Sequence, residues 1–275
     1  MEILRIKKKS INPRDIAKTF ADQSHCKTVI ENDTVVYVDG SDVPALVYLR
    51  SGVTFPDGLV TNLRMQKYTA PLRQSGIAPA NVSFGYAQRN PVYMKESCKA
   101  HAATRDNPAL YKCLSDLGVS VNDLYKLHNP IKYDEHDAMT NAVLPDWRIN
   151  DTVFTSGVVN KNSQLPYHFD RGNFKGAWSA MVTVRSGVTG GFLACPELDC
   201  LVKNCNGSLL LFDGQNVLHG VTPIKYQNDA AYRFTIVYYS QARMWQCLTP
   251  TEELKNANRT RNGREIKRAI DPPVK

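Results

Sequence analysis

From about residue 153 the chain changes texture. Seven short β-prone runs follow in under ninety residues, "TVFTSGVVN", "AWSAMVTVRS", "GGFLAC", "CLVKN", "GSLLLFDG", "NVLHGV" and "YRFTIVYYS", separated by turn-forming residues. So many brief runs, each closed by a turn, predict a β-sandwich or small barrel. The preceding half reads differently. "NPRDIAKTFADQ" opens a short helix, with Asn12 as cap and Pro13 in the first turn, and "TVVYVDGSDVPALVYLRSG" reads as a hairpin. Residues 60–105 are irregular, with "SFGYAQRNPVY" a loop or short strands. "NPALYKCLSDLG" is a helix begun by Asn107 and Pro108 and ended before Gly118, and "VNDLYKLHN" and "PIKYDEHDAMTNAVL" are two more. The tail after Gln246 reads as basic coil or a short helix.

The expected class is therefore α+β with a mainly β core. A length of 275 residues suits one domain, divided as helical and mixed support over 1–150, the β core over 151–246 and a basic tail over 247–275. No repeat is visible, and no run of about 18 apolar residues that would span a membrane. The start, "MEILRIKKKSINPRDIAK", lacks the apolar stretch of a secretory signal, which predicts an intracellular protein. Seven cysteines, an odd number with no CxxC pair, predict free thiols. Cys195, Cys200 and Cys205 recur every five residues, a spacing too wide for the usual zinc pairs. The net charge of +8 lies at the ends: residues 1–18 carry six Lys/Arg against two acids, and 251–275 carry seven against four. That leaves about +1 for the middle. Such ends suit either a polyanionic partner, whose counterions they release, or plain solubility.

The chemistry-bearing residues lie in the β half. In "SQLPYHFDRGNF", His168 and Asp170 are two positions apart, so on an extended strand they share a face. His219 follows the apolar run "SLLLF" and the turn "DGQN", giving His-x-Asp and then, after 48 intervening residues, a histidine. Two imidazoles and one carboxylate on one side of an octahedron leave positions for a chelating co-substrate and dioxygen, the arrangement of non-haem Fe(II) oxygenases. Fourteen residues further, Arg233 opens "YRFTIVYYS". Alternation puts Arg233, Thr235, Val237 and Tyr239 on one face. A charge buried there requires an anion; Arg233 can clamp a carboxylate in two parallel hydrogen bonds and Thr235 can add a hydroxyl. A dicarboxylate chelating iron at one end and meeting the arginine at the other fits 2-oxoglutarate.

These motifs resemble the 2-oxoglutarate- and Fe(II)-dependent dioxygenases. The arginine after the distal histidine is similar to the AlkB and TET/JBP branches, and "TSGVVNKNSQLPYHFDRGN" resembles the compact TET/JBP nucleic-acid-modifying oxygenases. The resemblance is good over 153–241 and faint over 70–130. It implies a double-stranded β-helix, a cupin-like jelly roll with N-terminal helices packed against it. It implies Fe(II) on His168, Asp170 and His219, 2-oxoglutarate on Arg233 and Thr235 with Asn160 at its other end, and dioxygen as oxidant. On the substrate side it implies Asn173 at the Watson–Crick edge of a flipped pyrimidine, Tyr239 stacked on the base, and Gln241 where TET enzymes have a histidine. Arg171 would meet a phosphate. Gly172 and Gln241 depart from the animal TET pattern, so the resemblance leaves 5-methylcytosine favoured and thymine open. The implied reaction is oxidation of the 5-methyl group of a pyrimidine in DNA to 5-hydroxymethyl, by a monomer without a membrane partner. The alternatives are the same chemistry on a free nucleotide, small molecule or protein side chain, and a cupin-like module that binds a metal or anion without turnover.

Overall fold

The computed structural model describes residues 1–16, 19–69, 80–89 and 97–270. Nine strands form one sheet, in the order Glu2–Ile6, Thr34–Val38, Pro44–Leu49, Leu209–Phe212, Ser179–Ser186, Tyr232–Tyr239, Ser156–Lys161, Asn81–Ala87 and Lys99–Ala100. A second sheet of four strands, Gly220–Val221, Leu193–Cys195, Cys200–Val202 and Thr28–Ile30, lies across from it. The space between is filled by Leu46, Tyr48, Leu210 and Phe212 from the large sheet against Ile30, Leu193, Cys195, Val202 and Val221 from the small one. This is the double-stranded β-helix architecture.

The alternation of the strands decides what each face does. In Tyr232–Tyr239, the side chains of Phe234, Ile236 and Tyr238 join the core that the sheet shares with the helices. The odd positions turn into the space between the sheets. Leu209 and Leu211 likewise face the helices while Leu210 and Phe212 face the second sheet. The helical layer is Pro108–His128 and Pro130–Thr140, laid on the outer face through Leu110, Leu114, Leu117, Val121 and Tyr125. Each helix starts at an Asn-Pro pair: the Asn107 side chain accepts from Leu110 N and that of Asn129 from Lys132 N, filling the first exposed donors of each helix.

Several expectations change. The first helix does not stop at Gly118 but runs on through it to His128. A Cβ at Gly118 would lie 3.1 Å from Cε1 of Tyr238, so the glycine lets helix and sheet approach closely rather than ending the helix. At that contact the Tyr238 hydroxyl donates to Leu114 O at 2.7 Å. The basic start forms a strand, Glu2–Ile6, parallel to Thr34–Val38, and the tail forms a 21-residue helix, Pro250–Ile270. Residue 151 is no boundary within the sheet, because five of its nine strands come from earlier in the chain. "SFGYA" is one full strand, while residues 90–96 lie outside those described. Cys98 and Cys247 form a disulfide across 149 residues, which neither spacing nor an odd count reveals. The other five cysteines are free. Cys195 and Cys200 are buried partners on adjacent strands, and Cys205 turns to Arg50 O, so the three do not gather at a metal. Among the described residues no helix is long and apolar enough to cross a membrane.

Two tests follow from this packing. A Cβ at Gly157 would stand 2.1 Å from Cζ of Phe84, whose ring covers that glycine. Gly157→Ala should cost about 1–3 kcal/mol, read by urea denaturation; unchanged stability would refute that packing. His136 is buried, with Nε2 on Ser240 Oγ at 2.8 Å and Nδ1 unpartnered among the described residues. Burial pushes its pKa down from 6.5 to about 3. The unfolded chain therefore takes up a proton that the folded chain refuses. From this group alone, unfolding free energy should fall by about 1.4 kcal/mol per pH unit below the ordinary histidine pKa. Comparing wild type with His136→Gln between pH 6 and 4 checks the slope.

Candidate active site

His168 and His219 come from separate loops and meet through a pair of backbone hydrogen bonds, His168 N to His219 O at 2.9 Å and His219 N to His168 O at 3.1 Å. This antiparallel bridge puts their rings side by side, with centroids 4.4 Å apart. Each Nδ1–H donates to the carbonyl two residues back, His168 to Pro166 and His219 to Val217, both at 2.8 Å. Those bonds fix the tautomer and leave each Nε2 with its lone pair facing inward. Asp170 completes the set. Its Oδ1 lies 3.7 Å from Nε2 of His168 and 3.8 Å from that of His219, and its own amide donates to Gly214 O. A side chain at Gly214 would intrude on this carboxylate, since a Cβ would sit 2.3 Å from Oδ2. Three ligand atoms of the right kind thus lie within 4.8 Å of one another, a donor set suited to one Fe(II) with open positions beside it.

The trio opens into a cavity of about 880 Å³. Asn160, Thr235 and Val237 line it, and Arg171, Asn173, Tyr239 and Gln241 border it too. Arg171 is exposed at the mouth. Asn173 and Gln241 form an isolated antiparallel bridge, so the two segments of the mouth are knitted together by backbone. Asn173 Nδ2 reaches Ser179 Oγ at 3.4 Å, and Gln241 Oε1 is engaged by the amide of Gln88 at 2.9 Å. Arg233 lies deeper, behind the lining. It is 1% exposed, and its Nε and Nη2 have no partner among the described residues. Burial, and then the neighbouring Arg185, push its pKa down to about 9. A guanidinium so placed calls for an anion. Nearby, Asn160 Nδ2 lies 3.5 Å from Thr235 Oγ1 and its Oδ1 is unpartnered among the described residues. Gly191 makes room for the arginine: a Cβ there would fall 2.8 Å from Cδ and Nε of Arg233. Orphaned buried donors beside a chelating trio fit a dicarboxylate such as 2-oxoglutarate.

Residues that sequence reasoning missed are Gln88 at the mouth, Thr183 beside Thr235, and the apolar wall of Met181, Leu193, Phe212 and Val221. None carries a motif; only strand register could have found Thr183.

Fold and site together define the class of 2-oxoglutarate- and Fe(II)-dependent dioxygenases. A family model described as "Tet_JBP: Oxygenase domain of the 2OGFeDO superfamily" matches residues 83–242, more than half of the chain, and the chain belongs to that family. Among proteins it is similar to, the bifunctional helicase and thymine dioxygenase JBP2 of Trypanosoma brucei brucei is 23% identical over 262 residues, covering 91% of this chain and 23% of that protein. JBP2 of Leishmania braziliensis is 25% identical over 186 residues, covering 67% and 16%. The chain thus spans less than a quarter of the length of either relative. In fold it is similar to the solved structure of NgTET1 in complex with 5mC DNA, with a TM-score of 0.61, 14% identity, and 94% of this chain and 90% of that chain covered.

Gly214→Ala gives a direct test of the metal set. It should weaken Fe(II) binding roughly 10–100-fold, as losses of support around a ligand do, measured by anaerobic Fe(II) titration. Unchanged affinity would show that Asp170 does not ligate.

Proposed function

We propose that this chain oxidises the 5-methyl group of a pyrimidine base in DNA to 5-hydroxymethyl, with Fe(II), 2-oxoglutarate and dioxygen. The observation that carries the reading is that one cavity holds the His168, Asp170 and His219 trio and also, at its mouth, Asn173, Tyr239 and Gln241. The names of the relatives favour thymine and that of the solved neighbour 5-methylcytosine; both carry the same methyl group. Held on the three ligands and Arg233, iron and 2-oxoglutarate supply, with dioxygen, the oxidation of a C–H bond, leaving succinate and carbon dioxide. The protein's part is to aim and exclude.

A methyl group stacked inside a duplex cannot reach this trio, so the nucleotide must turn out of the helix at a cost of a few kcal/mol. Tyr239 beneath the base offsets about 1–3 kcal/mol of that by stacking. Asn173 offers both a donor and an acceptor to the Watson–Crick edge, which suits either pyrimidine. Arg171 is exposed on the border of the cavity, and Lys175 and Arg243, close in sequence to the lining residues Asn173 and Gln241, are exposed too. They suit the phosphates flanking the extruded base without reading sequence.

The test is nucleoside mass spectrometry after incubation with DNA containing 5-methylcytosine or only thymine. A hydroxymethyl base should form and require both Fe(II) and 2-oxoglutarate. Asn173→Ala should slow the reaction about tenfold or more, the worth of a base-edge hydrogen bond. Succinate formed with another substrate, while both DNAs stay unmodified, would overturn the reading.

A further inference from the structure

Three neighbouring strands set one polar row in the space between the sheets, and two of its members, Asn160 and Thr235, line the cavity. Thr235 has Asn160 as its register partner on one side and Thr183 on the other. Directly opposed residues share a face, with strands about 4.8 Å apart, so all three side chains enter the space between the sheets. Met181, two residues before Thr183, lies in the core of that same space. One pleat further on, the partner of Arg233 is Arg185. Thr183 is 0% exposed, and its hydroxyl has no partner among the described residues. Its backbone is fully engaged, the amide donating to Ser208 O and the carbonyl accepting from Gly207 N. A valine would fill the same volume without stranding a hydroxyl, whose burial is unfavourable when unpaired.

The orphaned groups at this end do not scatter. Thr183 Oγ1, Arg233 Nε and Arg233 Nη2 all belong to one corner of two paired strands. Arg185 is not a second clamp: its guanidinium is spent on the carbonyls of Asn204, Val188 and Gly190 at 2.8, 2.9 and 2.9 Å, and stacks over Phe192. It ties down the segment Val188–Gly190, and the next residue, Gly191, packs against Arg233. We infer that Thr183 is a further binding residue for 2-oxoglutarate, donating its hydroxyl to the distal carboxylate beside Arg233 and Thr235. Arg233 satisfies two lone pairs of that carboxylate and leaves others open on the side facing the neighbouring strand. A hydroxyl at that place recognises a carboxylate and gives nothing to a methyl group, so Thr183 selects a diacid over a mono-acid of the same chelating end.

This rests on Arg233 as the anchor of the co-substrate, and the experiment separates the two claims. Calorimetry on the full chain loaded with Mn(II), which ligates without turnover, compares 2-oxoglutarate with 2-oxobutyrate, a 2-oxo acid lacking the distal carboxylate. Thr183→Val should weaken 2-oxoglutarate about tenfold, as for one hydrogen bond to a charged acceptor. It should leave 2-oxobutyrate unchanged, and Thr183→Ser should restore the difference. Without ligand, Thr183→Val should melt no lower than wild type, because it removes an unpaired hydroxyl. Equal affinity of the valine variant and wild type for 2-oxoglutarate would overturn the inference, as would equal losses for both acids or a lower melting temperature. Failure of the wild type to prefer 2-oxoglutarate at all would instead sink the reading of Arg233.

Discussion

Two backbone hydrogen bonds between His168 and His219 are the constraint on which the site depends. They join loops 51 positions apart, and they fix ring separation by main chain rather than by side-chain packing alone. Everything chemical is hung on that clasp. The carbonyls of Pro166 and Val217 choose the tautomers, and Gly214 draws in Asp170 by accepting its amide and by having no side chain of its own. A ligand set held this way is assembled before any ion arrives, so binding spends little on ordering the groups.

The strand Tyr232–Tyr239 does the corresponding work for the co-substrate. Its even residues anchor the helices and its odd residues serve the cavity. Arg233 is the most exacting of them, since a buried guanidinium with idle donors is tolerable only where an anion comes to it. A cupin-like module that binds a metal or anion without turnover would explain the trio and that arginine as well; what speaks against it is that the chain belongs to an oxygenase family. The bridge between Asn173 and Gln241 makes the mouth a built surface, with Gln88 contributing its backbone to one side.

Much of this was legible in the sequence because it follows period two. His168 with Asp170, and Arg233 with Thr235 and Tyr239, need only alternation to place them together; His219 stands out by following an apolar run and a turn, and the resemblance located Asn173. What was illegible is what depends on register or on distant contact. Gly118 has the look of a helix stop, yet it serves the contact with Tyr238 some 120 positions later. Glu2–Ile6 is too short, with charges at Glu2 and Arg5, to announce a strand; Thr34–Val38 makes it one by offering a parallel partner. Cys98 and Cys247 carry no spacing signal because only the folded chain brings them together. Thr183 looked like any strand threonine until its neighbours on both sides were known.

The carboxylate of Glu253 draws one more consequence from the tail. It is 2% exposed and accepts from the amides of Cys98 and Leu248 and from the guanidinium of Arg89, one residue past Gln88. The C-terminal helix therefore begins as a buttress and only afterwards becomes a charged appendage. Its first turn belongs to the scaffold beside Gln88 and the mouth of the cavity, so a change at that glutamate reaches the entrance from the far end of the chain.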